Sequence, residues 1–301
     1  MIPGINNLLK PRPRRYRNIV KHLSPYVLSA EDNETIISYE DIFHDLSTHK
    51  GTDRFLGMFT QKGIEFVLDK FGVFHQMDRA GLSNPDCSVN TDDPFLHRIS
   101  LTHSIDGQTH LSGELSMRRT SMDFPNIPES YTLLLVEWFM LQHPLKSFSK
   151  KRPQLPGQQH PGLGISELIF ELFYWTARKM KVDGVVLVPN YLHTGIFYGR
   201  QFLFIDPIRQ GELYGIDWVK NHRKSIDQLS WACAEGQLIN LKQNDRYQWI
   251  PAPMALPVSR KLKDYFHDKD YVHTVRRVKS EFRIKVNPGY SKKYLENWSA
   301  Q

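Results

Sequence analysis

A mixed α/β fold is what this sequence predicts, and three local patterns predict it. Residues 97–105 and 108–116 flank Asp106-Gly107, a dipeptide suited to the positive φ angles of a two-residue hairpin turn. Tyr131–Leu141 is an almost unbroken apolar run, the pattern of a strand covered on both faces, with a helix of similar length the alternative that periodicity leaves open. Gln159 to Gly164 opens a stretch in which Ile165, Leu168, Ile169, Leu172, Phe173 and Met180 recur at helical spacing, and a further apolar run follows at 183–189.

The chain has 301 residues, enough to bury a core without disulfides or metals. Its apolar fraction of 40% and charged fraction of 24% sit near the globular average and exclude a disordered, collagenous or coiled-coil chain. Cys87 and Cys233 are too few and too far apart for a disulfide framework or a zinc site. The N-terminus lacks the apolar stretch of a secretory signal, and no charge-free run reaches membrane-spanning length. The expectation is a soluble, cytoplasmic protein with no membrane span.

The net charge of +7 is concentrated at the ends. Residues 1–22 hold Lys10, Arg12, Arg14, Arg15, Arg17 and Lys21 with no acid, and residues 259–293 hold eleven Lys/Arg against four Asp/Glu, so 23–258 is net negative. Such ends are either solvated surface or a polyanion contact, nucleic acid included.

Along the chain, 1–51 reads as a basic arm and lead-in, because Lys10-Pro-Arg-Pro-Arg-Arg15 breaks a helix and offers little to bury. Residues 54–60 read as a short strand, 62–74 as a helix, and 81–94, rich in Asn, Asp, Ser and Pro, as a loop. If the Asp106-Gly107 turn sets the hairpin register, His103 faces His110. That pair makes a polar hairpin face, or a metal or proton-shuttling site if further ligands join it; the sequence locates none, and no metal is expected. Residues 147–156, with Lys150, Lys151, Arg152 and two prolines, form a loop; 190–200 is a short helix or turn and 201–207 a strand. Beyond 207 the pattern predicts helices at 225–236 and 257–266, then a basic tail.

The chemistry centres on Gln159-His160-Pro161-Gly162-Leu163-Gly164. A glycine-bearing turn that opens a helix presents several convergent, unpaired N–H groups backed by the positive end of the helix dipole, which suits a pyrophosphate. The same turn also serves a chain with no ligand. These residues, with the order strand, Gly loop, helix, strand, short helix, strand, resemble the Q-x-x-G-x-G loop and surroundings of GNAT-type N-acyltransferases over roughly 131–207, the 97–116 hairpin standing for the two strands before the central one. The resemblance implies a GNAT-like acyl-CoA-binding core at 52–207, with 208–301 a helical, basic extension packed on it.

It further implies acetyl-CoA or a longer acyl-CoA as cosubstrate, with Gln159, His160, Gly162, Leu163 and Gly164 holding the pyrophosphate and Tyr131–Leu141 the pantetheine arm. The acyl group would pass to a small-molecule or peptide amine. Tyr198 resembles the tyrosine that protonates the leaving thiolate, with Phe197 competing for that position; aromatic packing is its other role. Glu137, a carboxylate among apolar neighbours, is the expected base; a solvent-facing position at a strand edge is the alternative. His193 and His160 are further substrate-contacting candidates. Two features depart from the family pattern: the 143–157 loop between strand and motif, and Pro161, which removes one amide from the cradle. A polyanion-binding protein using Arg276, Arg277, Lys279, Arg283, Lys285, Lys292 and Lys293 with Tyr290, Tyr294 and Trp298, and a CoA binder without turnover, are the competing readings.

Overall fold

The structure, a computed structural model, describes residues 14–23, 28, 54–125, 127–222 and 224–290. Seven strands form one sheet: β1 (Pro85–Asn90), β2 (His97–Ile105), β3 (Gln108–Met122), β4 (Tyr131–Leu141), β5 (Gly184–Leu187), β6 (Leu203–Phe204) and β9 (Met254–Pro257). Their order is β1-β2-β3-β4-β5-β9-β6. Only β4 and β5 run parallel; each other neighbouring pair in this sheet is antiparallel. A second sheet, β10-β7-β8, is built from β7 (Leu238–Asn240), β8 (Asp245–Arg246) and β10 (Ile284–Val286). The α/β class predicted from the sequence is therefore the class observed.

The Asp106-Gly107 turn is the clearest local determinant. Both residues hold positive φ, 51° and 75°, and His103 faces His110 as the turn chemistry requires. Further from the turn, Ser112 is skipped in the β2/β3 register, and Glu137 is skipped where Ser116 faces Trp138 and Met117 faces Val136. These are two β-bulges, which bend a strand and re-aim its side chains.

The helices are α1 (Arg14–His22), α2 (Gln61–Phe71), α3 (Val73–Ala80), α4 (Ser166–Lys179), α5 (Leu192–Tyr198), α6 (Pro207–His222), α7 (Ile226–Ala234), α8 (Arg260–His267) and α9 (Lys269–Glu281). Apolar residues on successive sheet positions feed two cores, one per face: Leu134, Val185 and Leu187 go to one, Leu133 and Val186 to the other. The first core receives α2 through Ile64 and Leu68 and α4 through Ile169 and Phe173; the second receives α8 and α9 through Leu262, Phe266 and Val275. The short β6 is tied down by polar side chains of α6, α8 and α9. Tyr271 Oη donates to Phe204 O at 2.6 Å, Tyr265 Oη to Ile205 O at 2.8 Å, and Phe204 N donates to Gln210 Oε1 at 2.7 Å.

Several sequence expectations change. Residues 54–60 make only a single bridge, Phe55 with Phe59, around a turn. The helix expected over 62–74 ends at Phe71, because Gly72 adopts φ 84° and starts α3. The 81–94 loop contains the edge strand β1, whose alternation is hidden by its small polar residues. The expected strand 201–207 pairs over two residues only, since Pro207 begins α6. The segment beyond 207 does more than pack on a finished core: β9 inserts between β5 and β6 and completes the sheet. Part of the basic arm is helical and docked. Tyr16 of α1 is buried and stacks on Phe71 at 5.2 Å, while Leu28 O accepts from Thr60 N at 3.1 Å. Residues 1–13 and most of 24–53 lie outside the described residues.

Candidate functional site

The parallel pair is short. β4 and β5 share only Leu133–Val136 and Gly184–Leu187, after which β4 runs on to Leu141 paired with β3 while the chain leaves β5 at Val188. Beyond Val136 no β5 residue pairs with β4, and the carboxyl ends of parallel strands are where open α/β sheets place ligands. The bulge at Glu137 falls at the first residue past the paired row.

The glycine loop lies beside the far end of β4. His143 N donates to Pro161 O at 2.7 Å, which fastens the loop to the chain just past β4, and a Cβ on Gly162 would lie 3.7 Å from Leu141 O. Gly164 at φ 78° turns the backbone into α4, whose first turn has Ile165 at its N-cap and no side-chain cap. Among the described residues no hydrogen bond uses the N–H of Gly162, Leu163, Gly164, Ile165, Ser166 or Glu167. A row of unpaired donors at a helix N-terminus suits an anion in geometry and in dipole sign. Gln159, Gly162 and Gly164 are exposed, His160 and Leu163 half-buried. Glu167 opposes an incoming anion, and Arg200 neutralises it at 3.0 Å. Lys150, Lys151 and Arg152 are exposed just upstream of the loop. Gln154 ties this upstream segment to α7 by accepting from Trp231 Nε1 at 2.9 Å.

Glu137 is not among apolar neighbours. The bulge brings it out to solvent, where its carboxylate accepts from Arg118 Nε at 2.8 Å and is about 40% exposed. Tyr198, the last residue of α5, packs its ring edge-on to Phe170 at 5.6 Å and beside Phe202 at 6.3 Å. Phe170 in turn contacts Phe139 of β4 at 6.2 Å, so one aromatic chain links Tyr198 to the strand that carries Glu137. Burial pushes the Tyr198 phenol up to about 12, so it stays protonated through the neutral range. Phe197 contacts His193 rather than this chain. Glycine in α5 has a steric cause: a Cβ on Gly195 would stand 2.5 Å from the Trp249 ring, whose Nε1 donates to Pro189 O at 3.0 Å.

His193 is buried between Tyr191 and Phe197, and burial lowers its pKa from 6.5 to about 4. Between those values the unfolded chain binds the proton and the folded chain does not, so stability present above pH 6.5 is lost as the pH falls toward 4. The loss expected from this residue is on the order of 3 kcal/mol. Melting curves from pH 7 to 4 for the wild type and His193→Gln check it; equal acid slopes would show that His193 does not carry the effect.

The sequence missed His143, whose backbone holds the loop and whose ring is buried with Nε2 2.9 Å from Ala80 O. His103 is buried with Nδ1 2.7 Å from Ser112 Oγ, the bulged residue, and stacks on His110 at 5.5 Å. Desolvation, then His110 and His143, lower the His103 pKa. Among the described residues no group of three His, Cys, Asp or Glu is arranged to hold a metal. Cys87 and Cys233 are free thiols pushed up by burial to about 12 and about 11. Of the basic C-terminal residues, Arg283 is bound to the Lys279 and Phe282 carbonyls, Lys279 lies over the Tyr214 ring, and Arg276, Arg277 and Lys285 are exposed. Lys292, Lys293, Tyr294 and Trp298 lie outside the described residues. No described helix is long and apolar enough to cross a membrane.

No protein-family model and no curated protein matches the chain. Among solved structures, one described as "The crystal structure of KacTA-DNA complex" is similar over 52% of this chain and 80% of that chain, at 13% identity and a TM-score of 0.25. A likeness that loose carries no argument about fold or function.

Proposed function

We propose that this chain is an acyl-CoA-dependent N-acyltransferase of GNAT type, taking acetyl-CoA or a longer acyl-CoA and an amine acceptor. The observation that supports it is a coincidence at one end of the sheet. The parallel pair ends at Val136 and Leu187, β4 is bulged at the next residue, and the N-terminus of α4, without a side-chain cap, faces the end of that strand across a glycine loop.

In this reading the N–H groups from Gly162 to Glu167 hold the pyrophosphate. The pantetheine arm lies along 138–141, where β4 has no partner strand on its β5 side. The amine nitrogen attacks the thioester carbonyl carbon, the C–S bond breaks, and the proton lost by the nitrogen passes to Glu137 or through water and ultimately to sulfur. A phenol near 12 is a weaker acid than a thiol near ~8.5. Tyr198 therefore serves as a hydrogen-bond donor to the developing thiolate rather than the net source of its proton.

The test is a thermal-shift titration of the whole chain with CoA, acetyl-CoA and longer acyl-CoAs, followed by an acceptor screen for amide product. Saturation at a hundred times the dissociation constant is worth about 2.7 kcal/mol of stabilisation. An unchanged melting temperature with every nucleotide would sink the transferase reading; stabilisation without product from any amine would leave a CoA-binding protein.

A further inference from the structure

An apolar cavity of about 120 Å³ lies between β2–β4, α2 and α4, walled by residues such as Phe59, Leu68, Leu101, Met117 and Phe173. Its volume is near the ~150 Å³ of an engineered cavity that stays dry and takes up benzene. Three charged or polar residues contribute to its wall: Glu114, whose carboxylate pairs with Arg98 at 3.5 Å, Thr176 and Lys179. A close-packed core leaves few voids larger than a water, so a space of this size with such a lining is suited to an apolar guest.

At one end the cavity adjoins a second, open hollow, the two sharing Val20, Leu28, Trp175 and Lys179. That hollow is lined by Arg54, Arg178, Lys179 and Lys181, with no carboxylate among its described lining residues. Lys179 and Arg178 are held in place. Lys179 Nζ donates to Leu23 O at 2.7 Å, and Arg178 lies 5.7 Å over the Trp175 ring that forms part of both walls. An apolar chamber of six-carbon scale behind a cationic mouth matches one ligand chemistry: an alkyl chain ending in an anion.

We propose that this cavity and its basic mouth bind a single-chain anionic amphiphile, a carboxylate with an alkyl chain of about six carbons. The tail fills the space between α2, α4 and the sheet, and the head group rests against Lys181 and Arg178. Leu23 and Leu28, from the docked arm, complete the wall, so occupancy also ties that arm to the body.

The test uses the whole chain and the sodium salts of acetate, butanoate, hexanoate and octanoate, with octyltrimethylammonium as the charge-reversed control. Affinity read by calorimetry is expected to rise about fourfold per added methylene until the cavity is full, then flatten. The ammonium amphiphile is expected to bind at least ~10-fold more weakly than octanoate, from its charge alone. Leu172→Phe, which fills the cavity from α4, should flatten the chain-length series, and Lys181→Glu, at an exposed position, should weaken octanoate several-fold. No dependence on chain length, or equal binding of octanoate and octyltrimethylammonium, would overturn the proposal. The wild-type series decides this even if a variant fails to fold, and none of these probes carries a nucleotide, so the result is independent of the acyl-CoA reading.

Discussion

Gly162→Asp is expected to abolish stabilisation by CoA and its thioesters while the free protein melts within about 2 °C of the wild type. The position is exposed, its backbone is outside the left-handed region, and an added Cβ would meet only Leu141 O at 3.7 Å. A side chain therefore fits. The carboxylate would stand among the N–H groups between Gly162 and Glu167, occupy donors that the proposed reading assigns to phosphate oxygens, and add a negative charge beside Glu167. A pyrophosphate would then face repulsion in place of a dipole, and affinity should fall by about two orders of magnitude, close to 3 kcal/mol. Gly164 makes a poorer probe, because at φ 78° any substitution strains the turn whether or not a ligand binds there. Binding that survives Gly162→Asp in a folded protein would reduce the 159–164 loop to a structural turn.

Tyr198→Phe is expected to lower kcat about 100-fold with KM and melting temperature nearly unchanged. The ring contacts with Phe170 and Phe202 survive the change, and the lost hydroxyl makes no hydrogen bond to the described residues. Stability therefore has little to lose. In the proposed reaction what disappears is the donor to the leaving sulfur, an interaction made as charge develops and so felt in kcat. Since burial holds the phenol near 12, the wild-type rate should show no alkaline limb from this residue up to about pH 11. Unchanged turnover in Tyr198→Phe would assign the side chain to packing between α4 and α5.

Much of the central architecture was legible in the sequence because it rests on local chemistry. Asp106-Gly107 specifies its turn, the apolar run Tyr131–Leu141 marks a strand, though it is covered only up to Val136 and open to solvent at Glu137 and Trp138, and glycine before a helical period marks the start of α4. β1 was not legible, because its residues are polar and it forms only by pairing with β2. The two bulges were equally hidden. Ser112 and Glu137 have nothing unusual about them in sequence, and the shifts exist only in the pairing of β3 with β2 and β4.

The same division separates the loop from the rest of the site. A chain with Gln159-His160-Pro161-Gly162-Leu163-Gly164 ahead of an amphipathic period carries its own helix start and unpaired amides, because backbone geometry and glycine conformation act over a few residues. The environments of Glu137 and Tyr198, the fastening of Pro161 by His143, the insertion of β9 and the cavity behind Lys179 depend on which distant segments meet. Sequence by itself determined the turns, the periods and the position of the glycine loop before α4; only the tertiary structure decided burial, charge pairing and the shape of the empty spaces, since desolvation and packing are properties of neighbours that lie far apart in the chain.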